Sequence, residues 1–301
     1  MNQPTKTVKT TTQGIITALV AFLLWGNFPL YFKELSHYDA VEVIAHRVVW
    51  TFVLLAVFLL VTRRTAWLGV IRHNPKWLAL TFIAALLIGT NWLTYVWAVT
   101  HDQVLEASLG YFINPLMGVA LSLVFLKEKL RKLQKIAVLL AAIAVGIQVV
   151  WLGGLPWVSL LLALSFSIYG ILQRQTPFDA IDGLFLETAL LLPICLLWLS
   201  QASVASSSLD LWLSHDIWLL MLSGPITLIP LLLYNKSTKM VSFTLLSFMG
   251  YLTPSIVFLL AVFLYQEPFT LQNIVVFGLI WLALLIFSVD LLNKQRKSTA
   301  G

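Results

Sequence analysis

Arg47 lies about seven residues inside an apolar run over 40–61, roughly 10 Å from its nearer end at the usual helical rise. A central arginine costs about 2.5–3.5 kcal/mol to insert in a bilayer, so it either faces a protein interior with a partner or snorkels to the interface. The depth favours the interior, where a guanidinium would grip a carboxylate or phosphate bidentately. His46 is adjacent, and Glu42 precedes it by four residues on the same helical face. An imidazole beside a carboxylate can exchange protons near neutral pH, and a hydrogen-bonded structural histidine explains the pair equally well. Glu187 sits about seven residues into another apolar run and is the stronger proton-carrier candidate, whereas Glu106 opens its run and either serves transport or rests at the interface. Tyr111 and Asn114 recur with Gly118 at helical spacing, as do Ser247, Tyr251 and Ser255. These faces offer hydroxyl and amide groups to a substrate or to neighbouring helices. Trp25, Trp92, Tyr95 and Tyr169 lie deep enough to line a cavity for an aromatic or amphipathic solute, although core packing accounts for each singly. Asn91, one turn before Tyr95, completes the candidate path. Five scattered histidines and one cysteine, Cys195, have no metal-ligand spacing, so neither metal nor cofactor is expected.

These residues need apolar elements to hold them. Of 301 residues, 59% are hydrophobic and 11% charged, with mean hydropathy +0.90. An ordinary soluble domain carries about 25% charged residues, so the surplus of apolar side chains calls for lipid as solvent. Runs of about 20 mostly apolar residues fall near 14–33, 40–61, 77–99, 104–126, 133–151, 155–174, 180–199, 217–235, 241–264 and 271–292. No short apolar run with a small-residue cleavage site precedes them, so the first run is taken as a true span. If the N-terminus is cytoplasmic, all but Lys33 and Arg47 of the 19 basic residues fall in cytoplasmic segments, so both termini are expected to face the cytoplasm. The net charge of +6 then reflects topology and contact with anionic lipid, not nucleic-acid binding. The breaks at 62–75 and 200–216 are too short for a nucleotide-binding domain, and no phosphate-binding or zinc-protease motif occurs. Movement of a solute would have to be driven by a gradient, a proton or an exchanged solute.

An offset of 139 residues aligns Ser108 with Ser247, Pro115 with Pro254 and Glu128 with Glu267, each acid lying in a short turn after a span. Five spans per half is an odd number, so the halves at 14–151 and 155–292 must sit oppositely in the membrane, with tails 1–13 and 293–301 cytoplasmic. Inverted repeats are a recurring construction of secondary transporters, with substrate near the midplane. Arg47 aligns with Leu186, beside Glu187, and the one-residue mismatch turns the side chain by about 100°, which leaves open whether the two charges share a face. Pro29, Pro115, Pro225 and Pro254 each remove a helical hydrogen bond and are hinge candidates. Ala142 and Gly146 form a small-xxx-small pair that suits a homodimer seam or packing in a monomer equally.

Several stretches carry a family resemblance: Trp25-Gly26-Asn27-Phe28-Pro29, Ala45-His46-Arg47-Val48-Val49-Trp50, Gly89-Thr90-Asn91-Trp92, Trp97-Ala98-Val99 and above all the string over 105–116. With them the chain resembles the RarD-type permeases of the EamA family, in the drug/metabolite transporter superfamily. The resemblance covers nearly the whole chain. It implies ten helices, two five-helix EamA-like repeats, a bacterial inner-membrane location and small-molecule transport. The label of chloramphenicol sensitivity attached to that family names a phenotype and not a substrate. The sequence thus predicts an all-α polytopic membrane protein, not an enzyme, that moves a small organic solute by alternating access. Arg47, Tyr111 and Asn114 would contact solute from one half, with Glu187 and Tyr251 from the other. A solute channel and a non-transporting sensor or assembly subunit are the rival readings.

Overall fold

A computed structural model describes residues 4–35, 37–100, 104–151, 153–154, 157–201, 216–264, 266 and 271–299, with side chains described from 11 to 293 apart from 40, 99–100 and 104–106 within those ranges. The described chain is helical: α1 (Pro4–Gly26), α2 (Phe28–Glu34), α3 (Ala40–Val61), α4 (Ala66–His73), α5 (Lys76–Thr100), α6 (Val104–Phe125), α7 (Lys132–Trp151), α8 (Trp157–Gln175), α9 (Ala180–Leu199), α10 (Asp216–Thr238), α11 (Phe243–Met249), α12 (Leu252–Phe263) and α13 (Leu271–Thr299). Ten segments are long and apolar enough to cross a membrane, which agrees with the ten runs read from the sequence. The first comprises α1 and α2, and the ninth α11 and α12. Helix α1 begins inside the expected N-terminal tail, α13 extends into the C-terminal one, and the break over 62–75 holds the short helix α4.

The prolines divide by position. After Asn27 the chain restarts as α2 with Pro29 in its first turn, where a missing N–H costs nothing. After Gly250 it restarts as α12 with Pro254 in the first turn. Pro115 and Pro225 instead lie inside continuous helices, so the matched Pro115 and Pro254 differ in effect.

Helix pairing is almost entirely between the two halves. Helix α3 packs on α9 and α10, α5 on α8 and α9, α6 on α8 and α11, α1 on α10 and α12, and α7 on α13. Advancing each span by five turns one pair into another. The third-with-sixth contact becomes eighth-with-first, fourth-with-sixth becomes ninth-with-first, and second-with-eighth becomes seventh-with-third. The second–seventh, fourth–ninth and fifth–tenth pairs map onto themselves. This is a two-fold relation between five-span halves, and the odd span number makes them inverted.

Lipid is as apolar as leucine, so small residues and interhelical hydrogen bonds must draw these helices together. At Gly224 an added Cβ would stand 2.7 Å from Trp50 Cβ and 2.9 Å from the Trp50 carbonyl carbon, so only glycine permits that α3–α10 crossing. Gly118 meets Ser247 in the same way where α6 crosses α11. Ala137, Ala141 and Ala144 are fully buried on the side of α7 that meets α13. Ala142 and Gly146 lie on another side of α7, exposed, with nothing within 4 Å of Gly146.

Candidate functional site

Two aspartates set the register of the site. Asp39 and Asp179 cap α3 and α9, each accepting hydrogen bonds from backbone N–H groups two and three residues on. Counted from these caps, Arg47 and Glu187 are both eight residues into their helices. The offset for this pair of spans is therefore 140, and the one-residue mismatch inferred from the sequence disappears. Arg47 and Glu187 are equivalent positions in the two halves, each about two turns below opposite ends of the bundle, hence about 10 Å apart along the membrane normal.

Around Arg47 the partners come from the far end of the bundle, opposite the side where α1 begins. Its Nε donates 2.8 Å to Thr227 Oγ1 of α10. The guanidinium carbon lies 5.2 Å from the Phe32 ring centre and 4.8 Å from that of Trp92, a placement in which aromatic faces offset part of its lost hydration. Tyr31, Tyr95 and Tyr111 are close enough to interact with it electrostatically, and the rings of Tyr95 and Tyr111 are 5.9 Å apart. Tyr95 and Tyr111 keep 40% and 44% of their surface accessible, so the surroundings of Arg47 are not packed shut. Among the described residues no carboxylate is within ion-pairing distance of Arg47, and its two terminal amino groups have no protein acceptor.

The equivalent place in the other half is closed. Glu187 is 2% exposed and accepts hydrogen bonds from Tyr169 Oη at 3.1 Å and from Gln173 Nε2. Asn235 Nδ2 donates 2.9 Å to the same Tyr169 oxygen. Beside Glu187 a cavity of about 20 Å3, lined among others by Thr81, Gln173, Thr176 and Gly183, has room for one water.

The bundle is tied shut at this end. Arg64 pairs with Asp179 and, at 3.1 Å, with Asp182, whose side chain is only 5% exposed. Arg174 Nη1 donates to the carbonyls of Thr238 (2.6 Å) and Val241 (2.5 Å). Lys239 Nζ donates to those of Thr176 (2.8 Å) and Phe178, and burial pulls the Lys239 ammonium below its ordinary pKa. Glu128 spans the halves: its two oxygens accept from the backbone N–H of Phe243 (2.8 Å) and Thr244 (2.9 Å) at the start of α11. At the far end, Tyr38 Oη donates 2.9 Å to Asp216, with burial first and this acceptor next holding its pKa up at about 12.

Of the residues singled out by sequence, the structure brings Arg47, Trp92, Tyr95 and Tyr111 together, sets Tyr169 against Glu187, and places Asn91, Asn114, His46 and Tyr251 elsewhere. Asn91 Nδ2 donates to the Leu162 carbonyl (2.9 Å) and to Ser165 (3.0 Å), and Asn114 Oδ1 accepts from Ser167 (2.9 Å), so both join α8 to its neighbours. His46 is buried, its Nδ1 accepting from Trp50 Nε1 at 3.2 Å and its Nε2 sealed without a partner. Tyr251 is fully buried against Phe248, its hydroxyl also unpartnered. The Glu106 side chain and Glu267 lie outside the described residues. Sequence reasoning missed Phe32 and Thr227 as companions of Arg47 and named Trp92 only as a candidate cavity residue, because contacts between distant spans leave no local pattern. It also missed the capping role of Glu128, which its alignment with Glu267 could have signalled.

The EamA-like transporter family matches residues 12–150 and again 153–289, one match per half. Relatives include an uncharacterized transporter of Vibrio cholerae, 44% identical over 92% of both chains, and the uncharacterized transporter YojE of Bacillus subtilis, 40% identical over 96% of this chain and 97% of that one. Protein RarD of Escherichia coli is 37% identical over 97% of this chain and 99% of its own. A solved crystal structure shares the fold, with TM-score 0.66 at 21% identity over 94% of this chain and 97% of its own. Ten apolar spans, two inverted halves and full-length relatives named as transporters have one meaning: the chain is a multi-pass membrane transporter and belongs to the EamA-like transporter family, among its RarD-type permeases.

Proposed function

We propose that the chain is a secondary transporter of a small organic solute in the bacterial inner membrane, working by alternating access with both termini in the cytoplasm. One observation carries this reading. Arg47 and Glu187 occupy equivalent positions in inverted halves, yet the first lies beside the accessible Tyr95 and Tyr111, which we read as an open hollow, and the second is sealed in a hydrogen-bonded network. Equivalent sites in opposite states are what an inverted-repeat transporter needs, because exchanging the two states reverses which side is open. The positive-inside distribution of lysine and arginine supports a hollow facing the exterior, with the ties at Arg64, Arg174 and Lys239 facing the cytoplasm. Glu187, beside its one-water cavity, is the group that would carry a driving proton.

The test is sided thiol labelling in a Cys195→Ser background. Tyr95→Cys reports the hollow and Thr81→Cys the cavity beside Glu187. A membrane-impermeant maleimide added outside should label the first and spare the second, and conditions that open the cytoplasmic side should reverse both together. A channel would let both sites be labelled at once from one side, and that result would sink the transporter reading.

A further inference from the structure

We propose that the hollow selects an organic anion with a flat apolar body, its carboxylate seated on Arg47 and its ring among Phe32, Trp92, Tyr95 and Tyr111. The inference rests on the reading of this hollow as the solute site. It begins with the unused bonding capacity of Arg47. Thr227 takes the Nε–H, which fixes the guanidinium plane, and no described residue accepts from the edge formed by the two terminal amino groups. That edge matches the two oxygens of a carboxylate. A guanidinium in a membrane span is costly without a counter-charge, and among the described residues none of the ion pairs involves Arg47. Three other buried charges are provided for: Asp182 has Arg64, Asp290 has Arg131, and Glu187 has an amide and a hydroxyl. No described residue supplies Arg47 with a counter-charge.

The walls select the rest of the solute. The groups around the guanidinium are aromatic rings, with Phe28 adding to Phe32 at 5.5 Å between ring centres. Such faces take a planar apolar group by offset or edge contact. The described walls offer no carboxylate to a solute ammonium. A cation is repelled by Arg47, a zwitterion leaves its ammonium unpaired, and a neutral solute leaves the guanidinium unpaired.

Phenylacetate, phenylacetamide and phenethylamine hold the ring constant while the charge changes, so isothermal titration of the purified wild-type chain needs no variant. Phenylacetate should bind at millimolar concentration or below, with the amide and the amine weaker by roughly 10- to 100-fold, the worth of one charge-assisted bonding pair. Trp92→Leu should reduce phenylacetate binding more than acetate binding. Equal binding of the amide, preference for the amine, no binding of millimolar phenylacetate, or a Trp92→Leu effect equal for both acids overturns the proposal. Binding of phosphatidylglycerol without phenylacetate also overturns it and assigns the site to a lipid phosphate. Saturating phenylacetate should slow labelling of Tyr95→Cys. If it does so while Thr81→Cys is labelled from the same side, the anion site stands and the alternating-access reading falls. Sided labelling without phenylacetate protection does the reverse.

Discussion

Replacing Arg64 with alanine should tilt the protein toward the state open at the end that holds Glu187. Arg64 joins the chain between the second and third spans to the start of the seventh, so its contacts exist only while that end is closed. Its pair with Asp179 is half exposed, the two side chains being 32% and 47% accessible, and an exposed pair contributes at most about 1 kcal/mol. Asp182 is 5% exposed, and leaving a buried polar group without its partner costs about 1–3 kcal/mol. Together the closed state should lose about 2 kcal/mol, close to a 30-fold change in the open-to-closed ratio. The rate of maleimide labelling at Thr81→Cys from the cytoplasmic side, measured in inverted vesicles, should rise by up to that factor. In an Asp182→Asn background the same substitution should raise it by less than about fivefold, since only the exposed pair is then lost. An unchanged rate, or an equal rise in both backgrounds, would refute the assignment of Arg64 as a latch.

Glu128→Ala removes both acceptors at the start of α11 and should destabilise the solubilised protein by about 1–2 kcal/mol, read as a lower thermal midpoint; Glu128→Asp should recover little, since its side chain is one methylene shorter. Gly224→Ala forces α3 and α10 apart at a backbone contact and should cost about 1–3 kcal/mol. Because Thr227 lies one turn further on, the same change should weaken phenylacetate binding by titration. Glu187→Gln keeps the shape but loses one of two acceptors, costing about 1–2 kcal/mol. If Glu187 carries the driving proton, Glu187→Gln vesicles should lose the response of solute flux to a pH gradient while still binding solute. A preserved response removes Glu187 from that role.

The spans were legible because hydrophobic runs of the right length have few other meanings, and the inversion followed from an odd count per half. The register of the second and seventh spans was not read correctly. The offset came from Pro115 and Pro254, whereas Asp39 and Asp179, which cap the relevant helices, differ by one residue more. Arg47 was legible as an inward-facing charge because its insertion cost is large. Asn91 and Asn114 had no such signal: an amide in lipid can serve a solute or a neighbouring helix, and here both serve α8. Phe32 carried no signal at all, and Trp92 was legible only as a deep aromatic that could line a cavity or pack, until the fold set both beside Arg47.

The two-fold gives each contact between the halves a counterpart toward the other end of the bundle. Ser122 with Thr244 and Arg131 with Asp290 lie on pairs of spans that map onto themselves, so their counterparts fall within the same two spans. Under the alternating-access reading, damage to a contact made in one state alone favours the other state. Second-site suppressors of such a change would belong at the repeat-related contact on the other side of the membrane, far from the original lesion and sharing no atom with it.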